Sequence, residues 1–470
     1  MKKEAVLPLL AAAGWGEERL SELEILGPLD PVLPSPIRFT EASVAGLSAV
    51  GLAASDLWEL RTGRRQRISL ETRQATASMA GTRYLKINNI QAKPEARPPG
   101  YGVFPSKNGR WNYLHASFSH HHAATIKVLG VPEDRQAVIN AVAKWDGLEL
   151  EEALLAAGGA GGMVRTKEEW AAHPQSAAVA ELPLIEFIKI GEAPPEKLPA
   201  GNRPLSGIRV LDLTRVVAGP VGTRTLAEHG ADVLRVGSKH LPHVDSQDFE
   251  TGHGKLSTQI DLRQPAEAEI LRELVKQGDV FVQGYRPGAI DALGFAPEDL
   301  AKLRPGIVTV SFSAFSHLGP WSKRRGFDTV VQTVSGISWR QGQVVPGPTP
   351  GPQFYPVAAI DFLAGYVIAY GVMVALRLRA TEGGSWMVRT SLAQVGKWLV
   401  DLGEVTGVDL KKIPNEFTPE ELKRWMMVTE SPAGTLHHFG PVLRMSETQP
   451  HWTRPAVPLG YHQPVWPTRG

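Results

Sequence analysis

The sequence predicts an α/β protein: a doubly wound, mostly parallel sheet of the Rossmann-like kind, with a smaller α+β domain attached. Three observations carry that expectation. Short runs rich in β-branched residues alternate with helical stretches between residues 208 and 312, the pattern of a parallel sheet covered on both faces. A proline-rich segment, Gly191 to Pro204, separates this region from the first third of the chain, because proline fixes φ and removes backbone donors. The composition, 43% hydrophobic and 21% charged over 470 residues, is that of a globular chain large enough for more than one core.

After the linker, Ile208–Leu213, the helical stretch Thr223–His229 and Ala231–Val236 form a βαβ unit. The alternation continues with Ala266–Gln277 before the strand candidate Asp279–Gln283, and Pro297–Leu303 before Gly306–Phe312. Ligands of such sheets sit beyond the carboxyl ends of the strands. The loops after Leu213, Val236, Gln283 and Phe312 are therefore where a site is expected. Two stretches starting at Leu57 and Leu376 both read as helix, glycine turn and strand, and placing Gly63 on Gly383 brings Ile68 onto Val388 and Gln74 onto Gln394. That match suggests an internal duplication.

Charge and residue types narrow the chemistry. A formal net charge of +2 provides no global field for nucleic acid or an anionic membrane, so an anionic ligand must be held by local donors. With no cysteine there is no thiol nucleophile or thiolate metal site, which fits a reducing compartment. The opening MKKEAVLPLLAAAGWGEERL resembles a signal peptide only loosely, since Glu4 interrupts it. No stretch reads as the ~18 uninterrupted apolar residues of a membrane span. A cytoplasmic protein without nucleic-acid or membrane partners is expected. His115 and His120 to His122 lack the spaced carboxylates of a metal set. Gly158-Gly-Ala-Gly-Gly162 lacks the Lys-Ser/Thr of a phosphate loop and reads as a turn between helices.

From Pro204 to about Val400 several motifs occur in order: Leu205–Pro220, Leu226–Val236, Gly254-Lys-Leu-Ser257 with Asp261-Leu262, Tyr285-Arg-Pro-Gly288 with Leu293-Gly294, Ser311–Phe315 with Gly319-Pro320, and Arg324-Arg-Gly-Phe-Asp328 with Gln332 and Ser335-Gly336. Together they resemble the class III CoA-transferase family, also called CaiB/BaiF. Residues 41 to 190 resemble the family's later portion, and Ser431–Gly434 and Pro458–His462 a family C-terminus. The order is thus permuted, with an N-terminal partial copy. The expected division is residues 1–200, a partial copy contributing helices and the small domain; 201–400, the CoA-binding domain with the catalytic aspartate; and 401–470, an extension packing back on the core. The resemblance also implies a homodimer, interlocked in the family, in which the partial copy serves its own chain or a partner.

The resemblance implies an acyl-CoA:carboxylate CoA-transferase in which an aspartate attacks the thioester, passing through an enzyme-bound anhydride and an aspartyl-CoA thioester. The matching residue is Asp361, before a long apolar helix. A carboxylate suits this because its anhydride and thioester stay reactive; residue type alone favours a helix N-cap. CoA, a substrate rather than a tightly bound cofactor, would be held by Arg215, Val216 and Ala218 in the first turn, Arg235 after the second strand, Lys255 in the Gly-Lys-Leu-Ser turn, and Tyr285 with Arg286. Arg324, with Arg325, is a further phosphate candidate. Without the resemblance each of these cations reads as a solvated surface charge. The second substrate is a small carboxylic acid, and no metal is expected. The proline-rich loop Pro346–Pro352 suits a pocket wall. Glu41 falls at the partial copy's counterpart of Asp361, where a helix-start carboxylate is the simpler reading.

Gln283-Gly284 stands where many members have Glu-Asn, and Gly237 where an acid commonly ends the second strand; both could weaken activity. Racemases of the superfamily carry His where Phe327 stands, and Phe327 carries no proton, which favours transfer over racemisation. A racemase or isomerase, and a catalytically silent CoA-binding scaffold, are the alternatives.

Overall fold

In the computed structural model, which describes residues 3–92, 97–347 and 349–468, seven strands form the central sheet: β1 (Glu186–Gly191), β2 (Arg209–Leu213), β3 (Asp232–Gly237), β4 (Lys255–Gln259), β5 (Val280–Gln283), β6 (Val308–Ser313) and β7 (Ser385–Ser391). Their spatial order is β4-β3-β2-β5-β6-β7-β1. Every neighbouring pair is parallel except β7–β1, which is antiparallel. The order reverses between β2 and β5, which opens a crevice at their carboxyl ends. Of the sequence's expectations, Pro348 in the proline-rich loop and Met1 and Lys2 of the opening lie outside the described residues.

The predicted strands and helices recur within a few residues, and the differences have physical causes. Helix α3 spans Ala218–Glu228, five residues earlier than periodicity suggested, because Pro220 falls in the first turn, where a missing N–H costs nothing. Lys255 opens β4 instead of sitting in a turn. β1 comes from the first third and closes the sheet edge against β7, so the sheet is not confined to residues 201–400.

Two long helices pack together at the centre. α1 (Phe39–Thr62) is followed by a strand, Ile68–Glu71, and by α2 (Thr72–Ser78). Further along, α4 (Asp328–Val334) precedes α5 (Ala359–Glu382), which is followed by β7 and α6 (Leu392–Asp401). α1 and α5 are both 24 residues long, and their ends lie 320 positions apart, Phe39 against Ala359 and Thr62 against Glu382. Gly63 and Gly383 follow them, both at φ 73°, a region glycine adopts without strain. α5 is long and apolar enough to cross a membrane, which the reading of the sequence did not anticipate; 94% of its most apolar window is buried here against protein. α5 also packs on α3. A Cβ at Gly365 would lie 2.8 Å from the Ala218 carbonyl oxygen, and one at Gly222 3.0 Å from that of Gly365. The two glycines thus let the backbones touch and bring the start of α3 beside the start of α5.

The first third also builds a small α+β unit, with strands Gly102–Pro105, Trp111–Leu114 and Gly161–Met163 under helices Ser119–Leu129, Arg135–Val142 and Gly147–Ala156. Its glycine run is therefore more than a turn. Gly161 enters a strand, where a Cβ would stand 2.3 Å from the Tyr113 carbonyl oxygen. The C-terminal hairpin, Met426–Ser431 with Gly434–Phe439, pairs with Lys86–Ile87, and the tail then crosses the sheet, where the His462 N–H donates to the Ser257 carbonyl at 2.7 Å.

Candidate active site

The site is built from the turn after β2 outwards. Asp212, buried at the end of the strand, accepts from the Thr214 N–H at 3.0 Å, the Thr223 hydroxyl at 2.6 Å and Lys255 Nζ at 2.9 Å. Burial alone would raise this carboxyl, but Lys255 and the two threonine hydroxyls hold it low. Lys255 also donates to the Pro220 carbonyl at 2.8 Å, tying the first turn of α3 to the sheet. Between these anchors Val216 stands at φ +70°, a genuine outlier for a β-branched residue. Strain of this kind persists only where surrounding structure over-determines it, and it concentrates at functional sites. Gly219 is required for the same turn, since a Cβ there would lie 2.4 Å from the Thr214 side chain.

This turn forms one wall of a cleft of about 380 Å³. From the ends of β2, β5 and β6 come Arg215 to Ala218, Gly284 to Pro287, and Phe312 to Ala314; Asp361 and Leu392 lie at the starts of α5 and α6. Of the residues expected to form the site, Asp361, Arg215, Val216, Ala218, Tyr285, Arg286 and Arg324 line one cleft. Two do not. Lys255 is buried beneath the turn with its ammonium committed to Asp212, and burial lowers it to about 8 despite that partner. Arg235 is buried within β3 and paired to Asp248. Both are corrections to the CoA-contacting set, for the same reason: a buried cation stays charged only with a committed partner. Arg324 is also spoken for, bonded to Glu151 at 2.9 Å and to Glu152. Gln283 spends its side-chain oxygen on the Tyr285 N–H at 2.9 Å. Space does not force the small residue at 284, because a Cβ there would meet nothing closer than 3.6 Å.

Asp361 is the third residue of α5 and does not cap it; Ala358 holds the N-cap position without a side-chain bond. Asp328, the first residue of α4, supplies the acceptor, taking the Asp361 N–H at 3.1 Å. Asp328 is bonded in turn by Gln332, whose side-chain oxygen accepts from the Tyr355 N–H at 3.3 Å. The Asp361 carboxylate thus has no capping duty and faces the cleft. Burial first, and then the neighbouring Asp328 charge, push Asp361 well above the ordinary carboxylate range. Burial also raises Asp328 to about 6, against the bonds from Gln332 and the α5 backbone that pull it down. The two titrate as a pair, and the less hydrogen-bonded Asp361 is the more basic member.

Reasoning from sequence missed the opposite wall. Phe118, His120 and His121, from the small unit of the first third, line the same cleft. His115 lies face to face with Phe327, ring centroids 3.8 Å apart and planes within 2°. His121 is buried with Nδ1 unbonded, and burial lowers it to about 3, so it is neutral. Adjacent histidines at a helix start were the available signal, but their facing residue lies about 200 positions away. The described residues place one possible metal set together, His243, Asp245 and Asp248. His243 Nδ1 lies 3.2 Å from both carboxylates and Asp248 also holds Arg235, which is the geometry of an ion-pair network.

The chain is similar to known proteins over part or most of its length. Residues 205–421 match the profile of "CoA-transferase family III". An "Acyl-CoA transferase" of Gibberella moniliformis is 26% identical, covering 98% of this chain and 94% of that protein. The "Succinyl-CoA:glutarate CoA-transferase" of Homo sapiens is 32% identical over 37% of this chain and 41% of its own length, so the chain spans under half of that relative. The crystal structure of Rv3272 from M. tuberculosis is 29% identical, with a TM-score of 0.39 over 43% of this chain and 58% of that one.

Proposed function

We propose, from the match of residues 205–421 to the class III CoA-transferase family, that the chain transfers CoA from an acyl-CoA thioester to a carboxylic acid, with Asp361 as nucleophile. The observation that carries this reading is one carboxylate, raised in basicity and free of capping, opening on a cleft at the sheet's switch point.

An Asp361 oxygen attacks the thioester carbonyl carbon; the C–O bond forms, the C–S bond breaks, and CoA leaves as a thiolate, giving a mixed anhydride. The thiolate then attacks the Asp361 carboxyl carbon and releases the acid. The incoming carboxylate takes the aspartyl group from sulfur, and the returning thiolate attacks the new acyl carbon, restoring Asp361. The strained turn at Val216 and the start of α3 present backbone N–H groups to the CoA chain. A second hollow of about 260 Å³ shares Leu213, Leu241, Tyr285 and Ala289 with the cleft and is lined further by Val236, Ile260 and Leu262. It suits the adenine.

The first third supplies the cleft wall bearing His121 in cis. Its origin as a partial copy is supported by the constant spacing between α1 and α5 and by the paired elements that follow each. A second reading, proton exchange next to the thioester, is favoured by His121 in the cleft. Mass spectrometry separates the two. Acyl-CoA alone should leave a covalent increment on Asp361, the acyl group of the anhydride or the CoA of the thioester, and Asp361→Ala should lose it. Deuterium entering the acyl chain, with no mass gained on Asp361, would replace transfer by isomerisation.

A further inference from the structure

Beside the cleft lies a hollow of about 480 Å³ lined by Glu152, Leu155, Pro320, Trp321 and four cations, Arg286, Lys323, Arg324 and Arg325. Three of those cations, Arg286, Arg324 and Arg325, also line the cleft around Asp361, so the two spaces adjoin across these side chains. The acids nearby are already committed. Glu151 accepts from Arg165 at 2.8 and 2.9 Å and from Arg324 at 2.9 Å, and Glu152 pairs with Arg324. Arg324 is further fixed over the Trp321 ring, 4.0 Å from its centroid. Arg286, Lys323 and Arg325 have no carboxylate partner among the described residues, and burial together with the charge of Arg286 depresses Arg325. Like charges gathered at a concave surface without counter-ions focus a positive potential there. Gly158, at φ +80°, brings the small unit close to this corner; a Cβ there would lie 3.4 Å from Arg325 Nη1.

Two anions must reach Asp361: the CoA thioester and the acceptor acid. On the proposed function, the apolar hollow beside Tyr285 takes the nucleotide end of CoA, and CoA stays bound as aspartyl thioester while the acceptor arrives. The acceptor therefore needs an entrance of its own. We propose that the hollow bounded by Lys323 and Arg325 is the port through which the acceptor carboxylate enters, and that it favours acceptors with a second negative charge. The inference rests on the transferase reading of the cleft.

The test uses Lys323→Gln, Arg325→Gln and the double variant, with succinate and acetate as acceptors of two charges and one. In the double variant the succinate KM should rise at least about tenfold, the acetate KM less, and the acyl-CoA KM by under about twofold. The wild-type kcat/KM for succinate should fall with added salt, and the double variant should lose most of that dependence. If succinate is not turned over, its Kd for the CoA-saturated enzyme, read by calorimetry, replaces KM, and absence of binding to the wild type overturns the proposal. An unchanged succinate KM overturns it as well. So does a rise confined to acyl-CoA that vanishes with the dephospho-CoA thioester, which would assign the hollow to the CoA phosphate. Failure of the wild type to gain any covalent increment on Asp361, acyl or CoA, from acyl-CoA alone would instead sink the transferase reading, independently of the port.

Discussion

The starts of α1 and α5 are the same local structure put to different uses. In each, an aspartate from an earlier segment accepts backbone N–H groups of the first turn: Asp30 takes those of Thr40 and Glu41 at 3.1 and 2.7 Å, and Asp328 takes that of Asp361 at 3.1 Å. Burial raises both aspartates to about 6. Glu41 and Asp361 occupy equivalent third positions. Glu41, however, is buried and paired with Arg38 at 3.3 Å, whereas Asp361 opens on a cleft. The difference lies in what packs above. A parallel sheet ends over α5 and leaves a crevice, while the start of α1 is closed by its own arginine. A helix-start carboxylate is thus a structural part until a crevice is built over it.

The comparison breaks most sharply at the carboxylates themselves. Asp361→Asn should reduce turnover at least about 10³-fold, and Glu41→Gln should leave it within about twofold; steady-state kinetics on both variants decides. Equal losses would mean that the α1 site is also catalytic.

A smaller effect concerns stability. Asp30 has a folded value of about 6 against an ordinary 3.8, so its contribution is present below about pH 4 and lost as pH rises through 6. That loss is about 3 kcal/mol at most. Asp30→Asn, which keeps one acceptor oxygen, should flatten this part of the pH dependence of urea unfolding. An unaltered slope between pH 4 and 7 would show that Asp30 is not perturbed.

The smallest expected change sharpens the pairing at α5. Asp361 must be ionised to attack, so the rate rises with pH through its apparent value. Removing the neighbouring charge in Asp328→Asn should move that acid limb to lower pH by about one unit. A limb that stays put would attribute the whole elevation of Asp361 to burial.

Much of the sheet could be read directly, because buried parallel strands are continuous apolar runs and their helices carry a 3.6-residue period. Ile208–Leu213 and Gly306–Phe312 are examples. β4 was hidden, since Lys255 and Ser257 spend their side chains on polar partners, Asp212 and Thr223 for one and the Gly460 N–H for the other, that no local pattern announces. β1 was hidden because it joins the sheet only through β7, about 200 residues later. Arg215, Tyr285 and Arg286 were anticipated from the family resemblance, and their places after strands agree with where a site is expected. Lys255 and Arg235 misled for the converse reason: a cation beside a strand end reads the same whether it meets a phosphate or a buried aspartate.

The sequence by itself determined the alternation of strands and helices, the turn chemistry after each strand and the absence of any thiol chemistry, all of which are local or compositional properties; the candidate carboxylate came from the family resemblance. Tertiary structure alone decided which carboxylate lines the cleft, which cations there lack a carboxylate partner among the described residues, and that the cleft borrows Phe118 and His121 from the first third. These depend on contacts between residues hundreds of positions apart. Burial, charge pairing and crevice formation exist only after distant elements have packed.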